Sequence, residues 1–520
     1  MKEKPGRGGL KTVDHKIFLP AVIIIVLISI PFALYESESL ELLNNIFDQI
    51  VAQFGWGYIW YANILLAAGL YLSFSKYGKV VLGAPDEKPQ FTLFEYASLL
   101  IAMGLGSTIM RTGMVQWTGV ADNPPLGVAP GSAEALLWGN SYAMYIWSFQ
   151  VFSVFVMAAP AMAYIIHVKK RPMMRISEAT RVIFGDRFTD GAGGIILDIL
   201  FLMSILSGAA VTLGLGAPII TTNLAELFNT EVTFTMTMIV TVVWVALFSL
   251  SAYRGIEKGI KKLSVFNIYM AAFLALFILV VGPGVFIMDF FTETIGHLLT
   301  NYFTFSFYTD SVATEQATFI RNHLVFWMAY NATWAMLHSV FAAKISRGRT
   351  IKEMILTYLL APTAISWIAT GVLGGVGVHA QLNGDLDVLG MLGDNEAVQL
   401  IPAILQTLPL PGLMMVLFII IAMIFLTTTL DSTTYTIAAY TSRNDMSKKE
   451  PSKFLRIFVA FVITALALLL MQIGGLAPLE VVSGIMGIPI IFIQFFTIYA
   501  AKKMMDEDEA WKYNIRKPDN

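Results

Sequence analysis

Long apolar stretches recur along the chain from Ile17 to Ala500, and this repetition constrains the fold more than any other feature of the sequence. A helix that crosses the hydrocarbon core of a membrane needs about 20 mostly apolar residues. Of the 520 residues, 56% are apolar and only 13% are charged, which does not fit a soluble protein. The sequence therefore predicts an all-α integral membrane protein with no room for a large soluble domain.

Apolar runs between charged or proline- and glycine-rich breaks predict twelve membrane-spanning helices. They lie near 17–36, 54–75, 93–117, 140–166, 193–220, 232–252, 263–290, 322–343, 353–377, 411–440, 454–473 and 477–501. Two further segments, 291–308 and 396–408, are amphipathic and are expected to form surface helices or parts of a gate. The mixed-charge segment after residue 501 is expected to be a solvated tail. An even number of spans places both termini on one side.

The distribution of lysine and arginine agrees with this count. When the N-terminus is placed in the cytoplasm, all of the 34 basic residues except Arg111 and Arg321 fall in inner loops and tails. Basic residues near helix ends collect on the cytoplasmic side. The outer loops 118–139 and 378–410 contain no lysine or arginine. The pattern predicts a multi-pass protein of the cell membrane with both termini cytoplasmic.

The residues that usually carry enzymatic chemistry are missing or scattered. The chain has no cysteine, which excludes a thiol nucleophile and a thiolate metal site. Its histidines show no close pair at ligand spacing; His323 and His338, for example, lie on one predicted helix about 22 Å apart. No enzymatic activity, no cofactor and no nucleic-acid partner are expected.

Polar and helix-breaking groups at membrane depth are costly, so each is a candidate functional residue. The third predicted helix contains Gly104 and Gly106, which favour either close helix packing or an unwound stretch with free carbonyls. Its Arg111 either extends to the surface or binds a carboxylate through paired hydrogen bonds. Asp198 lies in the fifth helix. Thr427–Ser432 in the tenth offers hydroxyls that bond to their own turn or complete an oxygen shell for a hard cation.

Aromatic residues are dense in the fourth and eighth predicted helices. At spacings of three, four or eight residues, several rings share one helix face. Such a stripe is either ordinary packing or a box whose ring faces attract an onium group. The rings are Trp147, Phe149, Phe152 and Phe155 in one helix, and Phe326, Trp327, Tyr330 and Trp334 in the other.

Several segments resemble the betaine/choline/carnitine transporter (BCCT) family. Residues 255–264 read Gly-x-x-Lys-Gly-Ile-x-x-Leu-Ser, which is similar to the start of that family's seventh helix. Residues 343–350 resemble its inner loop after helix eight, and 212–216 resemble its fifth helix. Asp431 and Ser432 after paired hydroxyls resemble its tenth helix. The matches run in order from about residue 54 to 500.

The resemblance implies two N-terminal helices followed by two five-helix inverted repeats, as in neurotransmitter–sodium symporters. It also implies a homotrimer in a lipid bilayer that carries betaine, another quaternary ammonium osmolyte or a related compound. On this mapping the chain divides into 1–16 (N-terminal tail), 17–91 (two N-terminal helices), 92–262 (first repeat and following loop), 263–501 (second repeat and terminal helices) and 502–520 (C-terminal tail).

The family's site residues map onto positions of this chain. The solute would meet Trp147, Phe152, Phe155, Tyr330, Asn331 and Trp334, with Arg111 as an additional candidate. A coupling Na⁺ would meet carbonyls around Leu100 and Met103 and the hydroxyls of Thr428 and Thr429. The chain departs from the family in the eighth helix, where only Trp334 keeps the expected tryptophan. It also departs in the third helix, where a Glu-Pro pair is missing and Arg111 is present.

These observations favour a secondary active transporter with alternating access, coupled to sodium. Its expected solute is a small quaternary-ammonium, methylated-amine or related zwitterionic compound. Asn267 stands where sodium-independent exchangers of the family tend to carry arginine, which favours ion coupling. A sodium-independent exchanger of the same fold is an alternative, as is a non-transporting sensor. A channel would need a continuous polar ring, and only scattered candidates are present.

Overall fold

The structure is a computed structural model that describes residues 13–103, 106–252, 260–309, 311, 319–392, 397–443, 451–474 and 477–516. Within these ranges the chain forms helices and turns, with three isolated β-bridges and no strand. The fold is therefore all-helical, as predicted. Gly104 of the glycine stretch and the first part of the 255–264 motif lie outside the described residues.

The longer helices follow the predicted segments along the chain. They are α1 (His15–Leu34), α2 (Glu36–Phe74), α3 (Leu93–Ala102), α4 (Gly106–Asp122), α5 (Ala133–Ile146), α6 (Phe149–Val156), α7 (Ile176–Phe184), α8 (Ala192–Leu227), α9 (Phe234–Ala252), α10 (Lys261–Val281), α11 (Gly284–Phe307), α12 (Phe326–Ile345), α13 (Ile351–Ala369), α14 (Gly375–Asn383), α15 (Pro411–Thr441), α16 (Lys453–Gly474) and α17 (Ala477–Glu507).

Seven described helical segments are long and apolar enough to cross a membrane, judged by length and composition. They are Ser37–Phe74, Ala133–Val168, Ala192–Leu227, Lys261–Val281, Ile351–Asn383, Pro411–Thr441 and Gly487–Glu507. The count of twelve spans and the inverted-repeat arrangement stay predictions.

Two boundaries differ clearly from the predicted ones. Helix α2 begins at Glu36 and runs for 39 residues, because the polar segment before residue 54 continues the helix. Helix α10 ends at Val281, where Gly282 takes an extended conformation and Pro283 follows. Proline cannot continue the hydrogen-bond ladder of the preceding helix. The predicted amphipathic segment 291–308 is thus the second part of α11, which starts at Gly284.

Two predicted helices are interrupted along their length. The predicted third helix corresponds to α3, which ends at Ala102, and α4, which begins at Gly106. The predicted fourth helix stops at Ile146, passes through Trp147 and Ser148, and resumes at Phe149. Carbonyls at the ends of these helices are not all committed to a regular helix, so they are available for other partners.

Capping boxes set the start of two helices, α3 and α13. Thr92 begins α3 by accepting a hydrogen bond from the backbone of Glu95, whose side chain accepts one from the Thr92 backbone. Thr350 and Glu353 make the same reciprocal pair at the start of α13. Each box satisfies backbone donors that a helix start would otherwise leave unpaired.

Residues 506–511 contact the rest of the chain and are not simply solvated, whereas the cytoplasmic tail over 502–520 stays a prediction. The side chain of Asp508 accepts hydrogen bonds from Tyr164 (2.7 Å) and from Lys169 (2.6 Å). Asp506 accepts one from Tyr77 (2.7 Å). Lys76 lies over the ring of Trp511, 3.2 Å from its centroid. Helix α17 and the residues after it are held against the loop that follows α2.

Candidate functional site

Three oxygens meet at the break between α3 and α4. The hydroxyls of Thr428 and Thr429 on α15 lie 3.2 Å and 3.3 Å from the carbonyl oxygen of Ala102, the last residue of α3. Both threonines are almost completely buried. Thr428 also bonds to the Phe425 carbonyl of its own helix at 2.8 Å. The predicted hydroxyls therefore face the end of α3.

The carbonyl that contacts these hydroxyls belongs to Ala102, which the sequence did not single out. Leu100 and Met103, whose carbonyls were the predicted cation ligands, are fully buried on either side of it. Uncharged oxygens are suitable ligands for a hard monovalent cation such as Na⁺. In the described ranges, no three His, Cys, Asp or Glu side chains lie close enough together to hold a metal ion.

Asp431, two residues beyond Thr429, forms a buried ion pair with Arg456 of α16. Both side chains are 1% exposed, and the guanidinium carbon of Arg456 lies 5.3 Å from the ring centroid of Tyr435. The pair joins α15 to α16 just beyond the threonines. Sequence reasoning missed Arg456, because it lies at the start of its helix and was counted with the inner basic residues.

One group of aromatic side chains surrounds the break between α5 and α6. The Trp147 indole donates to the Gln116 side chain of α4 at 2.9 Å. Its ring meets Trp327 edge-on at 5.7 Å, and Trp327 meets Tyr330 edge-on at 5.5 Å. The Trp327 carbonyl in turn accepts a hydrogen bond from Asn331 at 2.7 Å. Trp147, Tyr330 and Asn331 are thus part of one contact chain, and Gln116 is a member that was not predicted.

A second group lies one to two turns further along α12. Phe155 of α6 stacks on His338 with centroids 4.1 Å apart and planes 11° apart. Phe152 contacts Phe155 at 6.1 Å, and Trp334 meets the edge of His338 at 6.0 Å. The His338 ring also bonds to the Tyr358 hydroxyl of α13. His338 was noted only as unsuited to a metal pair, yet it covers one face of Phe155.

Arg111 lies on α4 and is half-buried. Among the described residues, no hydrogen bond or ion pair links it to the aromatic groups or to any carboxylate. Asp198, another candidate, accepts hydrogen bonds from Ser177 (2.7 Å) and Tyr440 (2.5 Å) and is buried. These contacts tie α8 to α7 and α15, so Asp198 acts in helix packing.

The long apolar helices indicate an integral membrane protein. Comparison with protein families assigns it further. The model of the betaine/carnitine/choline family transporters (BCCT) matches residues 16–510, so the chain belongs to this family. The resemblance seen in the motifs is confirmed, and the protein is a secondary transporter rather than an enzyme.

Comparison with solved structures finds a Na⁺-coupled sialic acid symporter in a substrate-bound outward-open state, whose structure reveals a novel Na⁺ site. The match has 14% sequence identity and a TM-score of 0.44, and it covers 86% of each chain.

Proposed function

We propose that the protein takes up a small zwitterionic solute by Na⁺ symport with alternating access. The observation that carries the coupling is the meeting of Thr428, Thr429 and the Ala102 carbonyl at the break between α3 and α4. Hydroxyl and carbonyl oxygens from two helices can share one Na⁺, which would hold α3 and α15 together. The carbonyls of Leu100 and Met103 are proposed to complete the shell.

The position of α4 connects cation binding to solute binding. Helix α4 starts directly after the break, and it carries both Arg111 and Gln116. Gln116 holds the Trp147 indole, which contacts the α12 group through Trp327. A cation that fixes the break would therefore fix the orientation of the solute-binding side chains. Binding of one species then favours binding of the other, which is the thermodynamic requirement for symport.

The solute is proposed to bind between α4, α5, α6, α12 and α15. The side chains expected to contact it are Arg111, Trp147, Phe152, Phe155, Tyr330, Asn331 and Trp334. Cytoplasmic termini and assembly as a homotrimer in the cell membrane belong to the same proposal. Trimer formation is an expectation from the family.

Uptake into liposomes containing the full-length protein tests the sodium site. Replacing external Na⁺ by K⁺ should abolish concentrative uptake. Thr428→Ala and Thr429→Ala should each raise the Na⁺ concentration needed for half-maximal uptake, because each removes one oxygen from a shell of about six. Thr427→Ala is the matched control, since the Thr427 hydroxyl bonds to the Met423 carbonyl of its own helix.

Three results would contradict the proposal. Equal accumulation in Na⁺ and K⁺ would show that no sodium gradient drives uptake. Solute exchange without net accumulation would place the protein among the sodium-independent exchangers of the same fold. A Thr427→Ala effect as large as those of its neighbours would show that the three changes act through helix packing.

A further inference from the structure

Two polar atoms on one face of α12 have no hydrogen-bond partner among the described residues: Asn331 Oδ1 and Trp334 Nε1. Asn331 is 0% exposed and Trp334 is 5% exposed. Residues three apart on a helix lie on the same face, so the two groups point to the same side of α12. One atom is an acceptor and the other is a donor.

The orientation of the Asn331 amide follows from its partner. Its NH₂ group lies 2.7 Å from the Trp327 carbonyl oxygen, which can only accept a hydrogen bond. The amide oxygen must therefore point away from that carbonyl. A buried acceptor or donor without a partner is costly, so both atoms are expected to bind another group in the working protein.

A close approach between two helices holds the indole of Trp334. The indole lies against Gly208 of α8, where an added Cβ would be 3.2 Å from the ring and 3.4 Å from Nε1. Any larger residue at position 208 would push against the indole. The ring is thus placed by packing against the α8 backbone, and its N–H is left uncommitted.

The rings beside these atoms are also less suited to a quaternary cation than the sequence indicated. His338 stacks on Phe155 at 4.1 Å and covers one of its faces. A cation is attracted to the face of an aromatic ring, so one face of Phe155 is lost to a bound onium group. Hydrogen bonding therefore has a larger share in recognition at this site.

We propose that the solute is a small zwitterion whose ammonium group keeps at least one N–H. That N–H donates to Asn331 Oδ1, and an oxygen of the solute accepts from Trp334 Nε1. A fully methylated ammonium has no N–H and would leave Asn331 Oδ1 unpaired. This inference rests on the proposed function and narrows the substrate class of the same site.

A methylation series tests the inference with the carboxylate held constant. Glycine, N-methylglycine, N,N-dimethylglycine and N,N,N-trimethylglycine carry three, two, one and no N–H groups. Binding of each is measured on the full-length protein in Na⁺ by competition and by quenching of tryptophan fluorescence. The last methylation should weaken binding about tenfold or more, because it removes the only remaining donor to a buried acceptor.

Two variants show which residue causes the loss of affinity. Asn331→Leu should remove the difference in affinity between dimethylglycine and trimethylglycine, which is called the step below. Asn223→Leu is a matched control, because Asn223 is also buried, donates to its own helix at Ile219 (2.8 Å) and has an unpartnered Oδ1 among the described residues. It lies on α8, outside the site, and should keep the step. The wild-type series decides the question even where a variant does not fold.

Several outcomes overturn the inference. The inference is wrong if trimethylglycine binds as tightly as dimethylglycine. It is also wrong if none of the four compounds binds. Equal loss of the step in both asparagine variants would show a packing effect. Sodium-driven uptake that prefers trimethylglycine would remove this inference and leave the proposed function intact. A preference for solutes with an N–H group, without any dependence of uptake on sodium, would support this inference and contradict the proposed sodium coupling.

Discussion

Arg111 of α4 has no counter-ion among the described residues. A helix-centre arginine costs about 2.5–3.5 kcal/mol on insertion scales and persists where it has a function or an escape to water. It is half-buried and lies five residues before Gln116, which contacts the aromatic group. A solute carboxylate is a suitable partner, because the planar guanidinium can bind it through two parallel hydrogen bonds.

Replacement of Arg111 should therefore act on solute binding and not on folding. Arg111→Lys keeps the charge but loses the paired geometry, so it should raise the KM for a carboxylate solute clearly. Arg111→Gln should raise it further. The measurement is uptake kinetics in liposomes, with detergent-solubilised yield and thermal stability as the folding control. Unchanged kinetics in the Gln variant would show that Arg111 only extends to water.

Gly139 of α5 allows α4 and α5 to approach each other closely. A Cβ on Gly139 of α5 would lie 3.2 Å from the carbonyl carbon of Trp117 on α4, and closer still to its oxygen. Backbone atoms cannot move aside as a flexible side chain can. Gly139 thus allows the contact that brings Gln116 and Trp147 together.

Gly139→Ala should separate α4 from α5 and destabilise the protein by about 1–3 kcal/mol, the usual range for overpacking. It should also weaken solute binding, since Trp147 would lose its partner. Gly57→Ala in α2 is the control, because no atom lies within 4 Å of a Cβ built there. That change should be neutral or stabilising by up to about 1 kcal/mol, as expected for alanine in a helix. Thermal unfolding of the purified variants measures both; equal unfolding temperatures would contradict the clash.

The sequence predicted the features that depend on residue type and missed those that depend on packing. The glycines near the end of α3 pointed to one of two features, close helix packing or an unwound stretch, and the sequence did not decide between them. The hydroxyls of Thr428 and Thr429 were also identified as a pair. The Ala102 carbonyl could not be, because every residue has one. Burial of Arg456 and the covering of Phe155 by His338 arise from contacts between distant helices, which a single sequence does not display.

The first described residues join distant parts of the chain. Asp14 accepts hydrogen bonds from Arg175 and Arg443, each at 2.8 Å, and its backbone N–H donates to the Thr441 carbonyl at the end of α15. Val13 and Ser442 form an antiparallel bridge beside it. These contacts, which we call the N-terminal clasp, link the start of α1 to the end of the helix that carries Thr428 and Thr429.

The clasp is stable at physiological pH. Burial acts to raise the pKa of the Asp14 carboxyl, but the hydrogen bonds from Arg443 and Arg175 outweigh it and hold the pKa below its usual value. A carboxyl whose folded-state pKa is lowered contributes stability above its unfolded pKa and loses it only as the pH falls through the folded value. Near neutral pH the Asp14 carboxyl therefore stays ionised and keeps its hydrogen bonds to both arginines.

If α15 moves during alternating access, a covalent bond across the clasp should stop transport. The chain has no native cysteine, so a double variant Val13→Cys/Ser442→Cys contains one possible disulfide. Directly opposed residues of an antiparallel bridge have Cα atoms about 4.5–5.5 Å apart, within the range that a disulfide spans. Oxidation should abolish uptake in liposomes, and dithiothreitol should restore it.

A second cysteine pair separates loss of α15 movement from a general effect of oxidation. Val80→Cys/Ile515→Cys sits at another antiparallel bridge, between the loop that follows α2 and the C-terminal segment. Oxidation of that pair should leave uptake unchanged, because neither segment belongs to α15, the helix that carries the threonines. Full uptake by the oxidised Val13–Ser442 pair, with the disulfide verified by mass spectrometry, would show that the clasp stays closed throughout the transport cycle.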